Sequence, residues 1–96
     1  MRRTLAAAIG ATSIAAAVVA SAEPPAGAAA CSGCHPASTR VTTPVVRLAG
    51  RDRAEIVKAM QEFRSGMRAS TVMDRIAKGF TDQEIQAIAA WYAAQR

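Results

Sequence analysis

Apolar side chains recur at helical spacing in two stretches of this chain. Ile85, Ile88, Ala89 and Tyr92 fall on one face of a segment that runs to the C-terminus. Just ahead of that stripe, Thr81 and Glu84 are spaced as a capping box, in which each side chain satisfies an orphan backbone N–H at the helix start. A second stripe, Ile56, Val57, Met60 and Phe63, predicts a helix from Arg51 to Ser65, with Asp52 as its cap and Gly66 as its stop. Between the two helices, Met67 to Gly79 breaks the pattern. Ser38 to Gly50, interrupted by Pro44, reads as an irregular loop. Ala28 to Cys34 holds strong helix formers, and Pro36 ends any helix there. The prolines of "EPPAG", Glu23 to Gly27, make an extended lead-in, because each pushes its predecessor out of helical geometry. No strand pattern or internal repeat appears after residue 22. The fold class is all-α: three or four short helices with a large share of loop.

The first residues read differently. Met1-Arg2-Arg3, an apolar run from Leu5 to Ala20 and the small residues Ala20-Ser21-Ala22 form the charged, hydrophobic and cleavable parts of a secretory signal peptide. The apolar run is 16 residues long, short of the roughly 18 to 20 that a spanning helix needs. The expectation is therefore a leader over residues 1–22, cleaved after Ala22, and one mature domain over residues 23–96 with no stable membrane anchor.

That domain has 74 residues, a size at which a hydrophobic core alone is marginal and a disulfide, metal or cofactor is usually needed. Phe63, Phe80, Trp91 and Tyr92 are its only aromatic residues, so something other than large side chains has to fill the interior. The mature net charge is about +3, against a formal +5 for the whole chain. A mild excess of this kind suits docking to an acidic protein face. It does not indicate nucleic acid, since the basic residues are scattered and no aromatic platform is interleaved with them.

The chain's two cysteines and its one histidine are packed into "CSGCH", Cys31 to His35. A closed zinc site needs four protein ligands, and no second histidine or further cysteine completes the set. A disulfide suits an oxidising compartment, but a redox dithiol normally accompanies a βαβ pattern that is missing here. Covalent haem fits every constraint. Cys31 and Cys34, three apart on a helix, turn both sulfurs to one side, and His35 reaches the iron; C-x-x-C-H is the signature of c-type haem attachment. The haem itself would supply the missing core. With no other histidine available, the expected second axial ligand is a methionine. Met60 lies on an apolar stripe and reads as core packing. Met67 and Met73, both in the segment before the last helix, remain open by position.

The mature chain resembles the small bacterial class I c-type cytochromes along its whole length: "CSGCH", a loop ending "LAG", a helix ending "FRSG", then "TVMDRIAKGFTDQEIQAIAAW". The resemblance implies a class I cytochrome fold around one covalent haem c, and it selects Met73 as the iron ligand opposite His35. "RASTVMDRIAKGFTDQEIQAIAAW", with the helix from "AGRD" to "FRSG" ahead of it, is similar in particular to the cytochrome subunit of flavocytochrome c sulfide dehydrogenase. One departure stands out. The family's P-x-L-x-G, whose proline carbonyl orients the ligand histidine, here reads Val46-Arg47-Leu48-Ala49-Gly50, with proline displaced to Pro44.

These readings converge on a periplasmic one-electron carrier with no bond-making chemistry of its own. Cys31 and Cys34 tether the haem, and His35 and Met73 ligate its iron. The resemblance implies a partner with FAD, a flavoprotein subunit that donates electrons, and a soluble redox acceptor that takes them. A free-standing soluble carrier, steered by charges such as Arg40, Arg64 and Arg75, and a five-coordinate gas-binding module are the alternatives. Arg51 and Arg68 are read as surface arginines in preference to haem-propionate partners, and Trp91 as packing.

Overall fold

The computed structural model describes residues 23–95 together with Gly10. The expected leader, residues 1–22, lies outside that range but for Gly10. Among the described residues four helices follow one another: α1 (Ala28–Cys31), α2 (Arg53–Ser65), α3 (Met73–Ala77) and α4 (Asp82–Ala93). The described residues contain no strand, and no helix among them is long and apolar enough to cross a membrane.

Local chemistry sets the helix ends. At the start of α4, Thr81 Oγ1 accepts the Glu84 N–H at 3.2 Å while Glu84 Oε1 accepts the Thr81 N–H at 3.0 Å, so both halves of the capping box form. Asp52 stays extended and accepts the Glu55 N–H at 3.1 Å, which starts α2 at Arg53, two residues later than the periodicity suggested. Gly66 closes α2 at φ 79°. Its N–H reaches the Phe63 carbonyl at 3.2 Å, and the Met67 N–H reaches that of Glu62 at 2.8 Å, which is a Schellman close.

Two expectations are corrected. α1 ends at Cys31 rather than running on to Cys34, because Ser32 and Gly33 are poor helix formers and Ser32 Oγ turns back to the Ala29 carbonyl at 2.7 Å. The segment from Met67 to Gly79 is not wholly irregular. It contains α3, which begins at Met73 and is capped from outside, Ser70 Oγ accepting the Asp74 N–H at 3.0 Å.

α2 packs on both α3 and α4, and α1 packs on α4, but α1 and α3 do not meet. The core cluster is Ala28, Ile56, Ile88, Ala89 and Tyr92, with Cys31, Leu48, Val57, Phe80 and Trp91 packed around it. On α4 the predicted stripe is buried in full. On α2 only Ile56 is buried, with Val57, Met60 and Phe63 left half-buried. The α1–α4 crossing is tight: Gly27, at φ 87°, lies against the Phe80 ring, and the Tyr92 hydroxyl donates to the Ala28 carbonyl. At the far end of the loop, the Gly50 N–H donates to the Tyr92 carbonyl at 3.0 Å, tying "LAG" to α4.

Candidate functional site

Cys31 closes α1, and the chain then turns tightly. The Cys34 N–H reaches the Cys31 carbonyl at 3.2 Å and the His35 N–H reaches the same oxygen at 2.8 Å. Both cysteines are free thiols; Cys31 is half-buried against the core and Cys34 is exposed. Burial pushes the Cys31 thiol above its ordinary value, only partly offset by a hydrogen bond from its own backbone N–H, and the thiol donates to the Gly27 carbonyl at 3.5 Å. A bound metal ion would need several donors of this kind gathered around it. Among the described residues, no three His, Cys, Asp or Glu side chains gather to hold one. The donor set does not suit zinc.

His35 is held by a backbone group. Its Nδ1 lies 2.6 Å from the carbonyl oxygen of Val46. A carbonyl can only accept, so Nδ1 carries the proton and Nε2 is left with its lone pair, without a hydrogen-bond partner among the described residues. This fixes both the tautomer and the ring plane, the arrangement that prepares an imidazole to ligate a metal centre. Val46 stands where the cytochromes that the chain resembles have proline, and because the acceptor is a backbone carbonyl, the displaced proline does not remove it. Sequence reasoning left this carbonyl unassigned. The only signal was its position two residues before Leu48 in the "LAG" turn.

Met73 is half-buried at the first residue of α3, whereas Met67 is 82% exposed in the preceding loop. Met60 is half-buried on α2. Arg68 pairs with Glu62 at 2.8 Å and lies over the Phe63 ring, and Arg51 Nε donates to the Arg47 carbonyl at 2.8 Å, so both arginines have protein partners. Trp91 packs edge-on against Tyr92, ring centroids 4.9 Å apart, on the flank of the core.

The residues present fit a covalent haem. Two unpaired thiols and an imidazole with a free Nε2 share one turn of chain. α1, which leads into that turn, and α3, which carries Met73, are both anchored to the other helices but not to each other. Apolar surface remains uncovered at the start of α3 and along it, with Val72 52% and Ile76 41% exposed, as a flat apolar macrocycle would require.

Fold and site together define a small helical protein with the attachment motif of a c-type haem. The chain resembles the c-type cytochromes, the cytochrome subunit of sulfide dehydrogenase among them. To that subunit from Chlorobaculum tepidum it is 37% identical over 62 residues, which is 65% of this chain and 56% of the relative. It is 32% identical over 65 residues to cytochrome c-552 of Acidithiobacillus ferridurans, and 38% identical over 65 residues to a thiosulfate dehydrogenase electron acceptor of Stutzerimonas stutzeri. The chain spans just over half the length of the first relative and under a third of the other two, at 28% and 30%. No family model matches the chain.

Proposed function

We propose that this chain is a periplasmic electron-transfer protein, a class I cytochrome c carrying one covalent haem c and taking electrons from the FAD-bearing subunit of a sulfide dehydrogenase. The observation that carries the reading is the imidazole of His35, tautomer fixed by Val46, one residue beyond two free cysteines. Cys31 and Cys34 would hold the haem through thioether bonds, each S–H being taken up across one vinyl group as a C–S and a C–H bond with no net oxidation. His35 would offer its Nε2 to the iron, and Met73 its thioether sulfur from the start of α3. Bound there, the haem supplies a one-electron couple, its potential raised by the His/Met ligand pair. The protein's residues hold that couple in an apolar setting and leave an edge for electrons to enter and leave.

The leader, residues 1–22, exports the chain to the compartment where bacterial haem attachment takes place. The partner reading is supported by the names of two relatives, one a dehydrogenase subunit and the other a dehydrogenase's electron acceptor. Electrons pass singly from reduced FAD to this chain, and from it to a soluble redox acceptor.

Acid-acetone extraction of the purified protein tests the proposal. Thioether-bound haem stays with the polypeptide, and haem that washes out rules the c-type reading out. Cys34→Ala leaves one vinyl group unsaturated, and the pyridine haemochrome band moves to longer wavelength.

A further inference from the structure

The charge of this chain is divided unevenly. From Pro24 to Arg51 the sequence has three arginines and no acidic residue, whereas from Asp52 to Arg96 it has seven basic residues against six acidic ones. The structure sharpens the division. The ion pairs among the described residues are Lys58–Glu62, Arg64–Asp82 and Arg68–Glu62, all in the second part. Arg40, Arg47 and Arg51 are exposed and have no carboxylate partner among the described residues. They belong to the loop whose Val46 carbonyl holds His35.

That loop is shaped as well as charged. Residues 41–47 and 49–51 line an open cleft of about 570 Å³, with Val41 and Val46 on its wall, 53% and 50% exposed. Arg51 is pre-oriented there, its Nε donating to the Arg47 carbonyl at 2.8 Å, which leaves its terminal nitrogens free to meet a carboxylate pairwise. An apolar centre flanked by arginines is the usual composition of a protein-recognition patch.

Resting on the electron-carrier reading, we infer that the 40–51 loop is the docking face for an acidic redox partner, which sets carboxylates against Arg40, Arg47 and Arg51 and an apolar side chain between Val41 and Val46. Of the steering charges the sequence suggested, Arg64 is removed, because its guanidinium is spent on the Phe80 carbonyl and the Asp82 carboxylate. A membrane surface is the weaker occupant, since the loop has no aromatic anchor and no amphipathic helix.

The test uses the haem-loaded, isotope-labelled full chain, with poly-L-glutamate as an acidic polypeptide probe and, separately, phosphatidylglycerol vesicles. Amide shifts on adding polyglutamate are expected to cluster at 40–51. The affinity should drop roughly tenfold or more as salt rises past physiological strength. Arg40→Gln/Arg47→Gln, whose side chains make no contact that the fold needs, should lose at least tenfold, whereas Arg75→Gln/Lys78→Gln should stay within about twofold. Shifts centred on 64–78, equal losses in the two double variants, or arginine-dependent binding to vesicles alone would each overturn the inference. A chain without a Soret band defeats the carrier reading and leaves the binding map intact; a normal Soret band with no response at 40–51 defeats the docking face alone.

Discussion

His35 Nδ1 lies 2.6 Å from the carbonyl oxygen of Val46, eleven residues away, and this bond determines which nitrogen of the ring is free. Because the acceptor is backbone, the Val46 side chain is not part of it. Nitrogen-detected NMR of the ring should therefore find Nδ1 protonated, with its proton slow to exchange, in both the wild type and Val46→Ala. A proton on Nε2, or an Nδ1 proton lost in Val46→Ala, would contradict this orientation of His35.

Met73 and Met67 differ in burial, and that difference makes the ligand assignment testable. A ligand has to be presented from a fixed backbone: Met73 begins α3, while Met67 is 82% exposed in a loop. In the oxidised protein the weak near-infrared band of iron–methionine ligation is expected, and Met73→Ala should abolish it and open the ferrous iron to carbon monoxide. Met67→Ala should leave both properties unchanged. Reversed outcomes would move the ligand to Met67 without disturbing the cytochrome reading.

Helix ends were legible in the sequence because capping is short-range chemistry. Thr81 with Glu84, Asp52 with Glu55, and Gly66 each act within a few residues, and each appears where the pattern put it. α3 was not legible. Five residues are too few to show a period, and the cap comes from Ser70, four positions before the amide it satisfies. The α2 stripe gave the correct face but not its burial, since Ile56 alone meets α4 closely enough to be covered while Val57, Met60 and Phe63 keep surface free. Of the candidate site, Cys31, Cys34 and His35 were visible as side-chain chemistry. The Val46 carbonyl was not, because every residue has one and only the fold chooses among them.

Gly27 supports the α1–α4 crossing through a missing side chain. Its φ of 87° is strained for any L-residue, and an added Cβ would overlap the Phe80 ring. Gly27→Ala combines about 1–2 kcal/mol of left-handed strain with about 1–3 kcal/mol of overpacking, for a loss of about 2–5 kcal/mol. Gly66→Ala carries the strain alone, at φ 79° in open space, and should lose about 1–2 kcal/mol. Urea unfolding of both variants measures the difference. Equal losses would mean that the Phe80 ring yields freely and that the crossing is not tight.

Tyr92 should make the fold sensitive to alkali. Its phenol is buried, 2% exposed, and burial holds it above its ordinary value of 10.0. A group raised in the fold stabilises it fully below the ordinary value, and that stability is lost as pH climbs through the raised one. Unfolding midpoints of the wild type should therefore fall above about pH 10, more steeply than those of Tyr92→Phe, which has nothing to ionise. At neutral pH the variant should be less stable by about 1 kcal/mol, for the lost bond to Ala28. Parallel alkaline limbs in the two proteins would show that Tyr92 titrates in the fold as it does in the open chain.

The subunit reading makes the sharpest demand on this small domain. A permanent complex with a flavoprotein has to bury roughly 1,200 to 2,000 Å² in total, a large share of what a chain of 96 residues can offer. Arginines on the 40–51 loop would speed the encounter and lose that effect as salt rises, because charge mainly sets the association rate. Persistence depends on buried area, which salt barely touches. Co-expression with an adjacent flavoprotein, then size exclusion at high salt, should give one peak carrying both the haem and flavin absorbance. The association rate should fall with ionic strength while the complex holds together. If the cytochrome elutes alone under those conditions, the subunit reading fails. The chain is then a free carrier that meets its partner only transiently through the same arginines.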